Sequence, residues 1–279
     1  MSRESGGDSG DGGEATVERQ AAFSAEFDPV LAERLDKPAR AEAIYLEEAS
    51  LFRPIATGDI FQGATVPGPR EDDEPQLAMV IAHPSAMRKG AELRPWLRAA
   101  PVICVDGLSK RKWAEGHFGV FPLPKLAATA EANGFEVPDI AWGAVLDLAA
   151  PIDTAKLEVQ NRCACLSPEG IHLVLQQTVY SDTRVPVITG TLAQVMEPKL
   201  EELEMLQTWN ETFVEEPVSD GGDLQNELAG AAKDFDDVMN ATSPTQPESI
   251  RSLLESGTGS GTAHRLFATE IRRRQREQA

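Results

Sequence analysis

The sequence predicts a mixed α+β protein: a small antiparallel β-barrel or strongly bent sheet, flanked by helices and followed by a long acidic helical arm. Three observations carry this. Residues 52–149 hold short Val- and Ile-rich runs bounded by Gly, Pro and Asp, the pattern of short strands joined by tight turns. Residues 191–216 place Leu192, Val195, Met196, Leu200, Leu203, Leu206 and Phe213 at helical spacing among many glutamates. The chain of 279 residues, 41% of them hydrophobic, is long enough for one sizeable core with appendages.

Residues 1–20, MSRESGGDSGDGGEATVERQ, have almost nothing apolar to bury and are expected to be disordered. Residues 21–51 read as two short helices. Asp28 caps the first with Pro29 in its first turn, Pro38 starts the second, and Ile44, Tyr45 and Leu51 dock on the body. The strand-rich domain spans 52–190. Its candidate strands are Gly58–Gln62, Ala78–Ala82, Pro101–Val105, Gly119–Phe121 and Ala144–Leu148, interrupted by a helix over LPKLAATAEANG that Gly134 ends. A last strand, RCACL, enters SPEGIHLVLQQTVYSDTR. There Ser167 is a good N-cap, Pro168 suits the first helical position and Glu169 favours the positive end of the helix dipole. VPVI, at 185–188, reads as a short edge strand. Thr191 and Gln194 form a capping box for the acidic helix, which Pro198 is expected to kink or restart. Residues 217–261 read as an acidic linker with short helices, and 262–279 as a basic amphipathic helix carrying Leu266, Phe267 and Ile271.

Charge narrows the function. There are 45 acidic against 26 basic residues, a formal net charge of −19. Such a field repels phosphate backbones at long range and leaves only local basic patches for nucleic acid. Three cysteines, Cys104, Cys163 and Cys165, are too few and too odd in number for a disulfide framework, which points to a reducing cytoplasm. No apolar run approaches the roughly 18 residues of a membrane span, and the polar, acidic start of the chain has the wrong chemistry for a signal peptide. No Walker loop, dinucleotide fingerprint, Gly-x-Ser-x-Gly elbow, His-Glu-x-x-His motif or Ca²⁺ loop is present, so no cofactor is expected.

The candidate functional residues are few. His83 ends an apolar strand before Pro84, and a neutral-range imidazole is a weak candidate general base. The competing role is a structural histidine closing the strand–turn boundary. Arg88 and Lys89, in MRKG, form a local basic spot that contacts phosphate or a partner, pairs with the acidic loop REDDE, or is simply solvated. Cys163-Ala164-Cys165 has the wrong spacing for a zinc knuckle, so no metal is expected and buried structural thiols are the default. Arg272, Arg273, Arg274 and Arg276 are the densest basic cluster, but no aromatic residue interleaves for base stacking, which favours protein docking over nucleic acid. A protein partner contacted by the acidic arm or by this basic helix is therefore expected, with no membrane contact.

One stretch carries a family resemblance. TGDIF, a loop, then QLAMVIAHP, then RAAPVICV is similar to the start of the PemK/MazF family of plasmid-maintenance toxins. Gly58, Asp59 and Ile60 match the first strand, and Ala78–Ile81 the apolar second strand. The resemblance covers roughly 50 residues of the chain, and implies an SH3-like barrel and single-stranded RNA cleavage by an Arg and a Thr at the active groove. Gln76 and Leu77 stand where the family has Arg-Pro, and Pro101-Val102-Ile103 where it has Pro-Ile-Thr. Without the guanidinium, charge developing on a scissile phosphate loses its strongest ligand. The expectation is a non-catalytic interaction or accessory protein on a toxin-like barrel, in a bacterial stress or phage-defence system. The alternatives are a divergent endoribonuclease toxin and an acidic regulator of a basic protein.

Overall fold

The computed structural model describes residues 44–66, 76–105, 119–184, 189–215, 224–244, 246–257 and 259–278. The disordered-tail reading of 1–20, the first N-terminal helix, the acidic loop at 70–74 and the VPVI strand lie outside them. The described chain is α+β, with an antiparallel sheet followed by a cluster of helices.

The sheet has seven strands: β1 (Ile60–Gln62), β2 (Leu77–Val80), β5 (Trp96–Cys104), β6 (Val120–Leu123), β7 (Trp142–Val145), β8 (Ala150–Asp153) and β9 (Arg162–Ala164). A separate hairpin pairs β3 (Arg88–Lys89) with β4 (Glu92–Leu93). β5 is the spine. Val102 pairs with Leu77 of β2 on one side and Ala144 of β7 on the other; Ala99 pairs with Val80 and with Ala150 of β8. β7 and β8 therefore lie end to end along one edge of β5, joined by the 3₁₀ turn Leu146–Leu148. The expected strand at 144–148 is in fact the end of β7 plus this turn, and β8 and the first half of β5 extend the sheet beyond the expected strands.

Both faces of the sheet are covered, which is why LAMVIA reads as an unbroken apolar run rather than an alternation. Ile60, Leu77, Met79 and Ile81 face one core with α3 (Pro168–Thr183); Phe61, Ala78 and Val80 face a second. The neighbour-by-neighbour path runs β6-β7-β5-β2-β1-β9. No pairing between the described strands closes it, so the closed barrel expected over 52–190 is not found. The end strands are tied to helices instead. Gln177 of α3 donates to Val120 O in β6 at 2.7 Å, and Asn133, just after α2 (Leu126–Ala132), donates to Cys163 O in β9 at 3.2 Å.

Several local expectations hold. Ser167 caps α3 by accepting from Gly170 N at 3.2 Å, with Pro168 in its first turn. Others do not. Tyr45 sits in an antiparallel bridge with Leu166 rather than in a helix, because its backbone completes the partners of the RCACL strand. α4 (Thr189–Phe213) starts two residues before Thr191 and runs through Pro198 without interruption.

In the C-terminal third the described helices pack on one another, where an extended arm and a linker were expected. α4, α5 (Leu224–Asn240), α6 (Ile250–Glu255) and α7 (Ser260–Gln278) enclose a core of their own, built on Trp209, Phe235, Met239, Leu253, Ala263 and Phe267. The 17 residues of α5 turn a strongly amphipathic face inward. The small hairpin hooks the sheet to this cluster: both oxygens of Asp236 accept from Ala91 N at 2.9 Å, and Arg251 clamps Asp236 against Glu202.

Candidate functional site

His83 is placed by its role as a cap. It ends the run after β2, and its Nδ1 lies 3.3 Å from Ser85 N and 2.7 Å from Ser85 Oγ at the start of the short helix α1 (Pro84–Met87). Burial pushes its pKa below the ordinary imidazole value. Its ring nitrogen is engaged in closing the strand–turn boundary, the structural role weighed against general-base chemistry.

Asp59, of the Gly58-Asp59-Ile60 match, is fully buried and forms an ion pair with Arg162 of β9, Oδ2 to Nη1 at 3.0 Å. The same oxygen accepts from Ala56 N at 2.9 Å. Arg162 is 3% exposed and also donates to Arg53 O at 2.9 Å and to Ser50 O. The pair staples β1 and β9 to the incoming chain at 50–56. Gly58 has φ +85°, and a Cβ built on it would lie 2.6 Å from Leu166 Cβ. The motif residues thus serve the backbone and a buried salt bridge.

Gln76 and Ile103 flank the first residue pair of the β2–β5 ladder. Leu77 pairs with Val102, so Gln76 and Ile103 lie at the same end of neighbouring strands. Gln76 is exposed and its Oε1 accepts from the Thr65 hydroxyl. Neither position offers a cation or a nucleophile.

The cysteines take the structural role. Cys163 and Cys165 are buried, and burial pushes the Cys163 thiol up to about 12 and Cys165 higher still, with Asp59 adding to the latter. Among the described residues no group of three or more His, Cys, Asp and Glu could hold a metal ion.

The basic C-terminal helix is docked on its own body. Phe267 is 5% exposed, with its ring centroid 5.8 Å from that of Phe235 and 6.2 Å from that of Trp209. Arg274 lies over the Trp209 ring, 5.1 Å from its centroid. Arg273 and Arg274 pair with Glu270, and Arg273 also with Glu277. Arg272 and Arg276 remain exposed. The acidic helix is likewise partly consumed: Glu202 meets Lys199 and Arg251, and Glu201 meets Ser260 and His264.

Arg88 and Lys89 do not form one patch. Lys89 is exposed. Arg88 turns inward and donates to Ala91 O at 2.7 Å and Ile55 O at 2.8 Å. It lines a cleft of about 550 Å³ between the sheet and the helices, whose walls carry Arg53, Ile55, Leu93, Leu206, Asn210 and Lys233. Of these residues only Arg88 stands out in the sequence. The others come from separate segments with no shared spacing, so no local signal marks them.

Searches of protein-family models and of curated proteins find no match to this chain.

Proposed function

We propose that this protein is a non-catalytic interaction or accessory protein built on a divergent PemK/MazF-like sheet, an SH3-like barrel opened between β6 and β9. The observation that carries the reading is the pair Gln76 and Ile103. They lie at the same end of β2 and β5, where the resemblance implies an arginine and a threonine. An amide bound to Thr65 and an aliphatic side chain supply neither charge stabilisation of a phosphate nor a proton-transfer group. His83, engaged as a helix cap, adds to the same side of the argument. The bacterial stress or phage-defence setting rests on the resemblance alone.

The test is expression in a bacterial host with growth and RNA integrity followed over time. Intact RNA and unaffected growth are expected. Growth arrest with RNA cleavage would establish the endoribonuclease alternative, and loss of that cleavage in His83→Ala would assign the base. For the interaction itself, Arg272→Glu/Arg276→Glu is a better probe than truncation, because both arginines are exposed while Phe267 of the same helix is part of the core.

A further inference from the structure

The sheet–helix cleft is lined by three cations, Arg53, Arg88 and Lys233, none of which makes an ion pair shorter than 3.8 Å among the described residues. Arg88 hydrogen-bonds two backbone carbonyls, Ala91 O and Ile55 O, and makes no direct ion pair among the described residues, while the carboxylates of Asp59, Glu202 and Asp236 act on it from farther off. Taking a guanidinium out of water is costly, and burial lowers the pKa of Arg88 to about 10, outweighing the opposing pull of Asp59, Glu202 and Asp236. Arg53 reaches Asp59 only through Nε, at 3.8 Å, and the other oxygen of that carboxylate belongs to Arg162. Lys233 is exposed on α5 along the same cleft, with no partner among the described residues. On the acidic side, Asp236 is held by Arg251 and Ala91 N, and Glu92 lies at the exposed rim.

Between these charges the walls are apolar: Ile55, Leu93, Val159, Leu206 and Leu228. The cleft's volume of about 550 Å³ falls within the roughly 300–1,000 Å³ of small-molecule sites. In a chain of net charge −19, most of the surface repels anions, and a cleft lined by a desolvated Arg88 with Arg53 and Lys233 is the place where one is favoured. We propose that this cleft binds a small amphipathic monocarboxylate, its head group against Arg53, Arg88 and Lys233 and its apolar body along Ile55, Leu93, Leu206 and Leu228. A singly charged head suits the site better than a dianionic phosphate, which Glu92 and Asp236 would repel. The inference is independent of the toxin-like reading, because none of these cations occupies a motif position.

Octanoate is the probe, titrated into the full chain by calorimetry and by thermal shift, with octan-1-ol and inorganic phosphate as parallel arms. Saturable one-to-one binding of octanoate is expected, with octanol and phosphate each at least about tenfold weaker, the loss of one charge-assisted contact or of the apolar body. Lys233→Gln should weaken octanoate about threefold. Ala229→Trp, at an exposed position on the cleft wall, should abolish binding by filling the space. Both positions are exposed, so folding is retained and checked by circular dichroism; Arg88→Gln, where it folds, should weaken binding about tenfold. Absence of saturable octanoate binding, or binding indifferent to both Lys233→Gln and Ala229→Trp, would overturn the proposal. Octanol binding as tightly as octanoate would refute the cationic head-group site, and phosphate binding as tightly would refute the apolar one.

Discussion

Replacing Gly58 by alanine separates two reasons why a glycine stands in the TGDIF motif. The residue has φ +85°, and a left-handed backbone costs a residue with a Cβ about 1–2 kcal/mol. A second contribution comes from the new methyl, which would sit 2.6, 2.7 and 2.8 Å from Leu166 Cβ, Cγ and Cδ1. Leu166 is fully buried, and its nearest atom is the Cβ, which no rotamer change can move. Overpacking of this kind costs about 1–3 kcal/mol, so Gly58→Ala should lose about 2–5 kcal/mol in all. Gly63 provides the control: its φ is +79°, yet a Cβ added there would meet nothing within 4 Å. Gly63→Ala should therefore lose only the backbone part, about 1–2 kcal/mol. Urea denaturation followed by circular dichroism measures both, compared at a common dependence on denaturant. If the two variants fall within about 0.5 kcal/mol of each other, the Leu166 contact is not what excludes a side chain at position 58.

Asp59→Asn should destabilise by about 3–5 kcal/mol, because it leaves the Arg162 guanidinium buried and uncompensated; a loss under about 1 kcal/mol in the same denaturation assay would mean that water reaches the pair. Phe267→Ala should cost about 3–5 kcal/mol and red-shift the fluorescence of Trp209, which Phe267 helps to cover; an unchanged spectrum and midpoint would show that α7 is not docked in solution. A thiol reagent at pH 8 should modify Cys104 long before Cys163 or Cys165, since the thiols of the latter two are buried and stay protonated at that pH; equal rates would contradict their burial. The Arg98 hydrogen bond holds the Asp182 carboxyl below its ordinary value, so its stabilisation is present above the unfolded carboxyl pKa and is lost as pH falls through the folded one. Both side chains are more than a third exposed, so Asp182→Asn should change stability at pH 7 by only a few tenths of a kcal/mol, and less in high salt; a loss that salt does not reduce would count against a screened surface pair.

Much of the local structure is legible in residue order. The capped start at Ser167-Pro168-Glu169 is a helix N-terminus by its own chemistry, and it forms where expected. β1, β2 and β9 follow from short apolar runs bounded by turn formers. β8 escapes because Ala150-Pro151-Ile152-Asp153 has little strand propensity of its own; pairing with β5 makes it a strand. α5 looks marginal because its alanines, glycine and acids are weak signals until Phe235, Val238 and Met239 are seen to share one buried face. The cleft is less legible still, since its cations lie far apart in the chain and only packing brings them together.

Residue order alone carries the α+β class, the strong excess of acidic over basic residues and the capped start of the helix at Ser167. These depend on composition and on neighbours a few residues apart. Only packing establishes that Asp59 pairs with Arg162, that among the described strands β6 and β9 are tied to helices rather than to each other, and that the basic C-terminal helix folds back onto Trp209 and Phe235. Each of these is a contact between residues tens of positions apart or more. Its energy depends on burial and geometry, and neither is defined until the chain has closed on itself.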